Sequence, residues 1–157
     1  MTVTFEIEVA PYRFVSEQDL NEKFAELKPA LAGAERLLGT VYIADETRGA
    51  SVVLYDEIEA LVTRLCLNGS GQLAAGADVD FELFAEDGHI QIKIEGAEAV
   101  VFEDDAESAR FTRADLISTL FDCGQRYVAL MEKALAGASD SEMRLAMLKI
   151  GAKKRDN

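Results

Sequence analysis

Val3, Phe5, Ile7 and Val9 alternate with Thr4, Glu6 and Glu8, the period of a strand with one buried face. Ala10-Pro11 is expected to end it. Ser16 is an N-cap candidate, with Asp19 three residues on as a weak capping box. Behind it Leu20, Phe24, Leu27 and Leu31 recur at helical spacing, and Pro29 should kink or end that helix near Leu27 or Lys28. Leu38 to Ala44 predicts a second strand, Asp45 to Gly49 a turn, and Ser51 to Leu54 a short strand pairing back. Asp56 then caps a helix whose stripe is Ile58, Leu61, Val62, Leu65 and Cys66. Asn68-Gly69-Ser70-Gly71 is a poor helical sequence and is expected to break it, although Leu73 keeps the period.

Val79 to Glu95, VDFELFAEDGHIQIKIE, predicts a hairpin turning on Asp87-Gly88, a pair suited to a two-residue type I′ turn. That turn sets Glu86 against His89, Ala85 against Ile90, Leu83 against Ile92 and Phe81 against Ile94. Phe81, Leu83 and Ala85 then share a core face with three isoleucines. The other face carries Asp80, Glu82, Phe84 and Glu86 opposite Glu95, Lys93, Gln91 and His89. Gly96 leads into a further strand over 99–103, and Glu103-Asp104-Asp105-Ala106-Glu107 makes an acidic turn.

Thr112 and Asp115 form a capping box at the clearest helix of the chain, lined by Leu116, Leu120, Cys123, Tyr127, Leu130, Met131 and Ala134, with Gly137 suited to its end. A last helix starts at Ser139 or Ser141 and carries Met143, Met147, Leu148 and Ile150. Taken together, these elements predict a single α+β domain over 1–150, with a basic, frayed tail over 151–157. The domain is a mainly antiparallel sheet of four to six strands, with two or three amphipathic helices packed on one face, as one-faced strands require. Ile92 and Leu120 are expected core positions.

At 157 residues and 49% hydrophobic content the chain can bury a core of its own. Its apolar runs are too short to span a bilayer. MTVTFEIEV has neither the basic nor the apolar region of a signal peptide, so the cytoplasm is the expected location. A disulfide between Cys66 and Cys123 is not expected there. Both fall in apolar helical patterns and read as small buried hydrophobes. Without export, the sequon at Asn68-Gly69-Ser70 has no meaning.

Charge changes the picture more. Of the net −13, residues 78–107 hold 11 acids against one base, Lys93, while residues 108–157 hold 6 acids against 9 bases. So acidic a middle repels phosphates and argues against nucleic acid or an anionic membrane as partner; it suits a basic protein.

Catalytic motifs are missing. His89 is the one histidine, placed beside a turn on the solvent face, where a solvated role outweighs a catalytic one. Two cysteines and one histidine without CxxC or HExxH make no zinc set. Glu103, Asp104, Asp105 and Glu107 lack EF-hand spacing. Gly69 to Gly76 is glycine-rich but follows a helix and lacks the lysine of a phosphate loop. No cofactor or metal is expected, and an enzyme is the least favoured class. The candidate partner-contact residues are Asp80, Glu82, Glu95, Glu103, Asp104, Asp105 and Glu107. In the expected register Asp80 opposes Glu95, a like-charged pair that stability alone does not require. The competing account of this acidity is solubility and protection of a sheet edge.

The hairpin VDFELFAEDGHIQIKIE followed by the helix TRADLISTLFDCGQRYVALMEKAL resembles the small acidic immunity proteins of bacterial polymorphic and contact-dependent toxin systems. The resemblance covers about half the chain and rests on size, acidity and the lack of catalytic residues. It implies a non-enzymatic antitoxin that covers the basic active site of a cognate toxin, with no oligomeric state specified. The alternative resemblance is to the small acidic secretion chaperones, which are α+β homodimers with a late amphipathic helix. This chain departs from them by opening with a strand.

Overall fold

Alternation in the sequence becomes two sheets rather than one. A computed structural model describes residues 1–33, 36–137 and 142–153. β1 (Thr2–Ala10), β2 (Arg13–Ser16), β3 (Leu38–Asp45) and β4 (Ala50–Glu57) form the first sheet, in the order β2-β1-β3-β4. β5 (Val79–Glu82), β6 (His89–Glu95), β7 (Glu98–Glu103) and β8 (Ala106–Thr112) form the second, in chain order. Every pairing is antiparallel. The helical elements are α1 (Glu17–Glu22), α2 (Phe24–Gly33), α3 (Ile58–Leu61), a π-helical segment (Val62–Gly69), α4 (Ser70–Ala74), α5 (Arg113–Leu135) and α6 (Glu142–Lys153). The class is α+β, as expected.

One contiguous core joins the two sheets through the helices. Val3, Phe5 and Ile7 of β1 and Val41 and Ile43 of β3 meet Leu61, Leu65, Leu120 and Tyr127 from the helices, and Ile90, Ile92, Val101 and Phe111 close it from the second sheet. Ile92 and Leu120 are both fully buried. The Phe5 and Tyr127 rings meet edge to face, 5.4 Å between centroids, the geometry that aromatic quadrupoles favour. Strands β4 and β8 lie close to each other, and Arg48, from the β3–β4 turn, reaches Glu98 of β7 at 2.8 Å.

The hairpin register differs from the expected one. Val79 pairs with Ile92, Asp80 with Gln91, Phe81 with Ile90 and Glu82 with His89. Phe81 thus pairs four positions earlier on β6 than a tight Asp87-Gly88 turn requires. An even shift keeps strand side chains on their own faces, so Phe81, Ile90 and Ile92 stay on the core side and Leu83 packs against it. Ala85, expected on that face, is exposed in the loop past the end of β5. Asp80 no longer opposes Glu95 and Glu82 no longer opposes Lys93. A group remote in sequence holds the loop: Asp56 Oδ1 accepts the N–H groups of Phe84 (2.9 Å) and Ala85 (2.7 Å), so both amides are satisfied without a longer ladder, which would take only one of them. The two-residue turn appears instead at Asp104-Asp105, joining β7 to β8, where φ is +49° and +66°, positive at both positions as type I′ demands.

Helix boundaries also move. Ser16 does cap α1, its Oγ accepting Asp19 N–H at 3.2 Å. Pro29 does not stop α2, which continues to Gly33. The carbonyl it leaves unpaired belongs to exposed Ala25, where water can serve it. Asp56 is no cap: it lies in β4, buried, and Glu57 takes the cap position without a side-chain bond. Asn68-Gly69-Ser70-Gly71 does not break its helix either. α3, the π-helical segment and α4 run on without interruption, because Leu65, Cys66, Gly69, Ser70 and Leu73 are all buried and packing overrides propensity. Thr112 sits at the N-cap of α5 but makes no side-chain cap bond. Pro11 and Tyr12 (φ +63°) turn the chain into β2, a strand the sequence pattern does not reveal. Ser139 and Ser141 lie outside the described residues. α6 runs to Lys153, three residues into the expected tail; Leu148 is buried and Met147 is 69% exposed.

Candidate functional site

The second sheet turns one face to the core, and the other carries Asp80, Glu82, His89, Gln91, Lys93, Glu95, Glu98 and Arg110, by the alternation of the observed register. Two different environments divide its acids. At one end, Arg110 binds Glu107 through two nitrogens, Nε at 2.6 Å and Nη2 at 2.9 Å, and Glu95 through Nη1 at 2.7 Å. Glu98 accepts from Arg48 at 2.8 Å and lies 3.4 Å from Arg110. The guanidinium beside Glu107 holds that carboxyl below its usual range, as Arg48 first and Arg110 second do for Glu98. Glu95 and Glu107, both candidate contact residues, are therefore already partnered.

The other end is more open. Asp80 accepts from Gln91 Nε2 at 2.8 Å and pairs with His89 Nε2 at 2.7 Å. Both bonds favour the charged carboxylate and lower its pKa, Gln91 foremost, while Asp80 raises that of His89. Asp104 Oδ1 accepts His89 N–H at 2.8 Å, and Asp104 N–H donates to the His89 carbonyl at 2.9 Å. These two bonds bring the β7–β8 turn against the 83–88 loop. A shallow pocket of about 380 Å³ between them is lined by Glu82, Asp87, His89 and Asp104 among others. Glu82, Glu86, Asp87, Asp104 and Asp105 are exposed, and among the described residues no lysine or arginine lies in ion-pair range of their carboxylates. Glu103 stands apart from them: paired with Ile90, it is on the core side of the sheet, half-buried.

A larger pocket, about 590 Å³, opens between the 83–88 loop and α6, lined by Leu37, Ala60, Phe84, Met147, Leu148 and three arginines among others. Its cations are engaged: Arg36 with Glu57 at 3.3 Å, Arg144 with Glu59 at 2.5 Å, and Arg64 stacked 3.8 Å from the Phe84 ring centre. The two cysteines are buried and free. The Cys66 thiol, hydrogen-bonded to Cys123 and wholly buried, is pushed well up, which keeps it from acting as a thiolate nucleophile. Among the described residues no three His, Cys, Asp or Glu side chains are placed to hold a metal ion, and no helix is long and apolar enough to cross a membrane.

Several contributors were not singled out from sequence. Arg48 and Arg110 neutralise Glu98 and Glu95 from 12 to 50 residues away, and nothing local signals that reach; only the Arg110–Glu107 pair, three residues apart, is local. On the first sheet, Tyr42 donates to Glu6 at 2.9 Å and Tyr55 to Glu8 at 3.0 Å. Those acids stand on the polar side of the β1 alternation, which was the available signal.

Comparison of the chain with protein-family models, with curated proteins and with solved structures finds no match.

Proposed function

We propose that the chain is a non-enzymatic protein-binding module of the cytoplasm, an immunity protein or antitoxin that docks on a basic toxin and covers its active surface. The observation that carries this reading is the unpaired acidic end formed by Glu82, Glu86, Asp87, Asp104 and Asp105. Among the described residues those charges have no lysine or arginine partner, while Arg110 and Arg48 neutralise Glu95, Glu98 and Glu107. An open field of one sign raises the association rate with a cationic partner and selects it.

The test is capture of the product of the neighbouring reading frame by the parent chain and by the triple reversal Glu82→Lys, Glu86→Lys and Asp87→Lys. Among the described residues these three side chains make no bond to a lysine or arginine, so stability should hold. Capture by the parent should weaken with salt, mainly through slower association, and the reversal should lose it. Equal capture by both proteins at low and high salt would remove this function from consideration.

A further inference from the structure

The outer face of the first sheet carries an arrangement of a different kind. Glu6 and Glu8 stand two residues apart on β1, both on this face. Tyr42 Oη donates to Glu6 Oε2 at 2.9 Å. Glu8 receives two bonds, from Tyr55 Oη to Oε2 at 3.0 Å and from Tyr12 N–H to Oε1 at 2.8 Å. Phe14 pairs across the strands with Glu8, and its ring meets that of Tyr55 edge-on, 6.1 Å between centroids. Val53 pairs with Tyr42 beside them. The patch is open to solvent, with Tyr12 95%, Val53 55% and Phe14 43% exposed. Among the described residues no lysine or arginine pairs with Glu6 or Glu8; the neighbouring Arg13 is turned to Glu26 at 3.7 Å.

We propose that this face docks an extended segment of a partner protein that carries arginines at alternate positions. The proposal rests on the reading of the chain as a protein-binding module and names a second contact surface for it. Each carboxylate keeps acceptor capacity beyond its phenol bond, since a carboxylate offers about four lone-pair sites. Each is also held in place by that bond, so little side-chain freedom is lost on binding. A guanidinium is planar, stacks on exposed rings and donates to a carboxylate in the same pose, whereas an ammonium is a compact, strongly hydrated charge. Successive same-face positions of a strand are about 6.6 Å apart. That is the spacing of Glu6 and Glu8, and equally of residues i and i+2 in an extended ligand laid along β1. Arginine side chains at alternate positions would therefore meet the two carboxylates in register.

The test uses isotope-labelled full-length chain titrated with the peptide acetyl-Arg-Val-Arg-Val-amide, and with versions carrying citrulline or lysine in place of arginine, at 0.15 M salt. We expect amide shifts grouped over residues 6–16, 40–42 and 53–55, and at least about tenfold weaker binding of the citrulline peptide, as loss of a charge-assisted bond implies. The lysine peptide should fall between. Glu6→Gln with Glu8→Gln should lose a similar factor while the melting midpoint falls only slightly: each glutamine keeps one oxygen for its phenol, and Glu8→Gln gives up only the exposed bond from Tyr12 N–H. Phe14→Ala should weaken binding without changing which amides shift. Shifts centred on 82–87 and 104–105, equal affinity of the double glutamine variant, or a sedimenting dimer that buries this face would each overturn the proposal. The triple reversal at Glu82, Glu86 and Asp87 separates the two readings. Loss of capture with no peptide on the first sheet leaves the acidic end standing and this surface refuted. Peptide bound on the first sheet with no capture by any form does the reverse.

Discussion

Asp56 Oδ1, on the first sheet, accepts the main-chain N–H of Ala85, in the loop of the second, at 2.7 Å. It accepts Phe84 N–H as well, at 2.9 Å, from a side chain only 1% exposed. A buried carboxylate thus ties the 83–88 loop across the boundary between sheets, past the end of the β5–β6 ladder. Asp56→Ala should cost about 1–3 kcal/mol, because two N–H groups lose their acceptor, offset in part by removal of Oδ2, which is buried without a partner among the described residues. Urea unfolding measures the loss, and hydrogen exchange at Phe84 and Ala85 should quicken. Unchanged exchange at both amides would show that the loop is held by something else.

Tyr127 presents the opposite case. Its ring is fully buried against Phe5, yet among the described residues its hydroxyl makes no hydrogen bond of good geometry; burial pushes the phenol pKa up, and the nearby Arg144 only partly opposes that. Removing an unsatisfied polar atom relieves a desolvation cost, so Tyr127→Phe should be neutral or stabilising. Tyr127→Ala should lose about 3–5 kcal/mol. A clear loss in the phenylalanine variant would reveal a partner for the hydroxyl.

Close helix packing sets a third expectation. A Cβ at Gly124 of α5 would stand 2.9 Å from Leu67 Cγ and 3.3 Å from Cys66 Cβ. Alanine is the better helix former by up to about 1 kcal/mol, but Leu67 is 3% exposed and hemmed in, and overpacking costs about 1–3 kcal/mol. Gly124→Ala should therefore lower the thermal midpoint. A rise would mean that α5 and the π-helical segment can separate freely.

His89 allows a clean pH measurement, since the chain has one histidine. Its pKa is raised by Asp80, so the stabilisation is complete below the unfolded value of about 6.5 and fades as pH climbs through the higher folded value. The matching depression at Asp80, from Gln91 first and His89 second, contributes above the ordinary carboxylate range and fades as pH falls through the lowered value. In an NMR titration the His89 ring should show a midpoint above about 6.5, returning toward it in Asp80→Asn. A midpoint unmoved by that substitution would dissociate the pair.

Local pattern was enough to show the buried side of β1 and β6. Val3/Phe5/Ile7 and Ile90/Ile92 lie in the core as alternation implies, and Leu116, Leu120, Cys123, Tyr127, Leu130, Met131 and Ala134 line α5 as helical spacing implies. These patterns hold because the periods of strand and helix are fixed by the backbone itself. The candidate site was legible only as a set of acids. The sequence placed Asp80, Glu82, Asp104 and Asp105 in an acidic middle, but could not foresee that Glu103 would lie on the core side or that Arg110 would hold Glu95 and Glu107.

By itself, then, the sequence determined the α+β class, the buried faces and the acidic balance, all of which follow from nearest neighbours along the chain. Tertiary structure alone decided the β5–β6 register, the unbroken helix through Gly69 and the division of the acids into paired and open groups. Each of those depends on groups far apart in sequence: Asp56 on Phe84 and Ala85, the π-helical segment on α5, Arg48 on Glu98. Hydrogen bonds and ion pairs act over a few ångströms of space, so their partners are settled only once the core has brought the elements together.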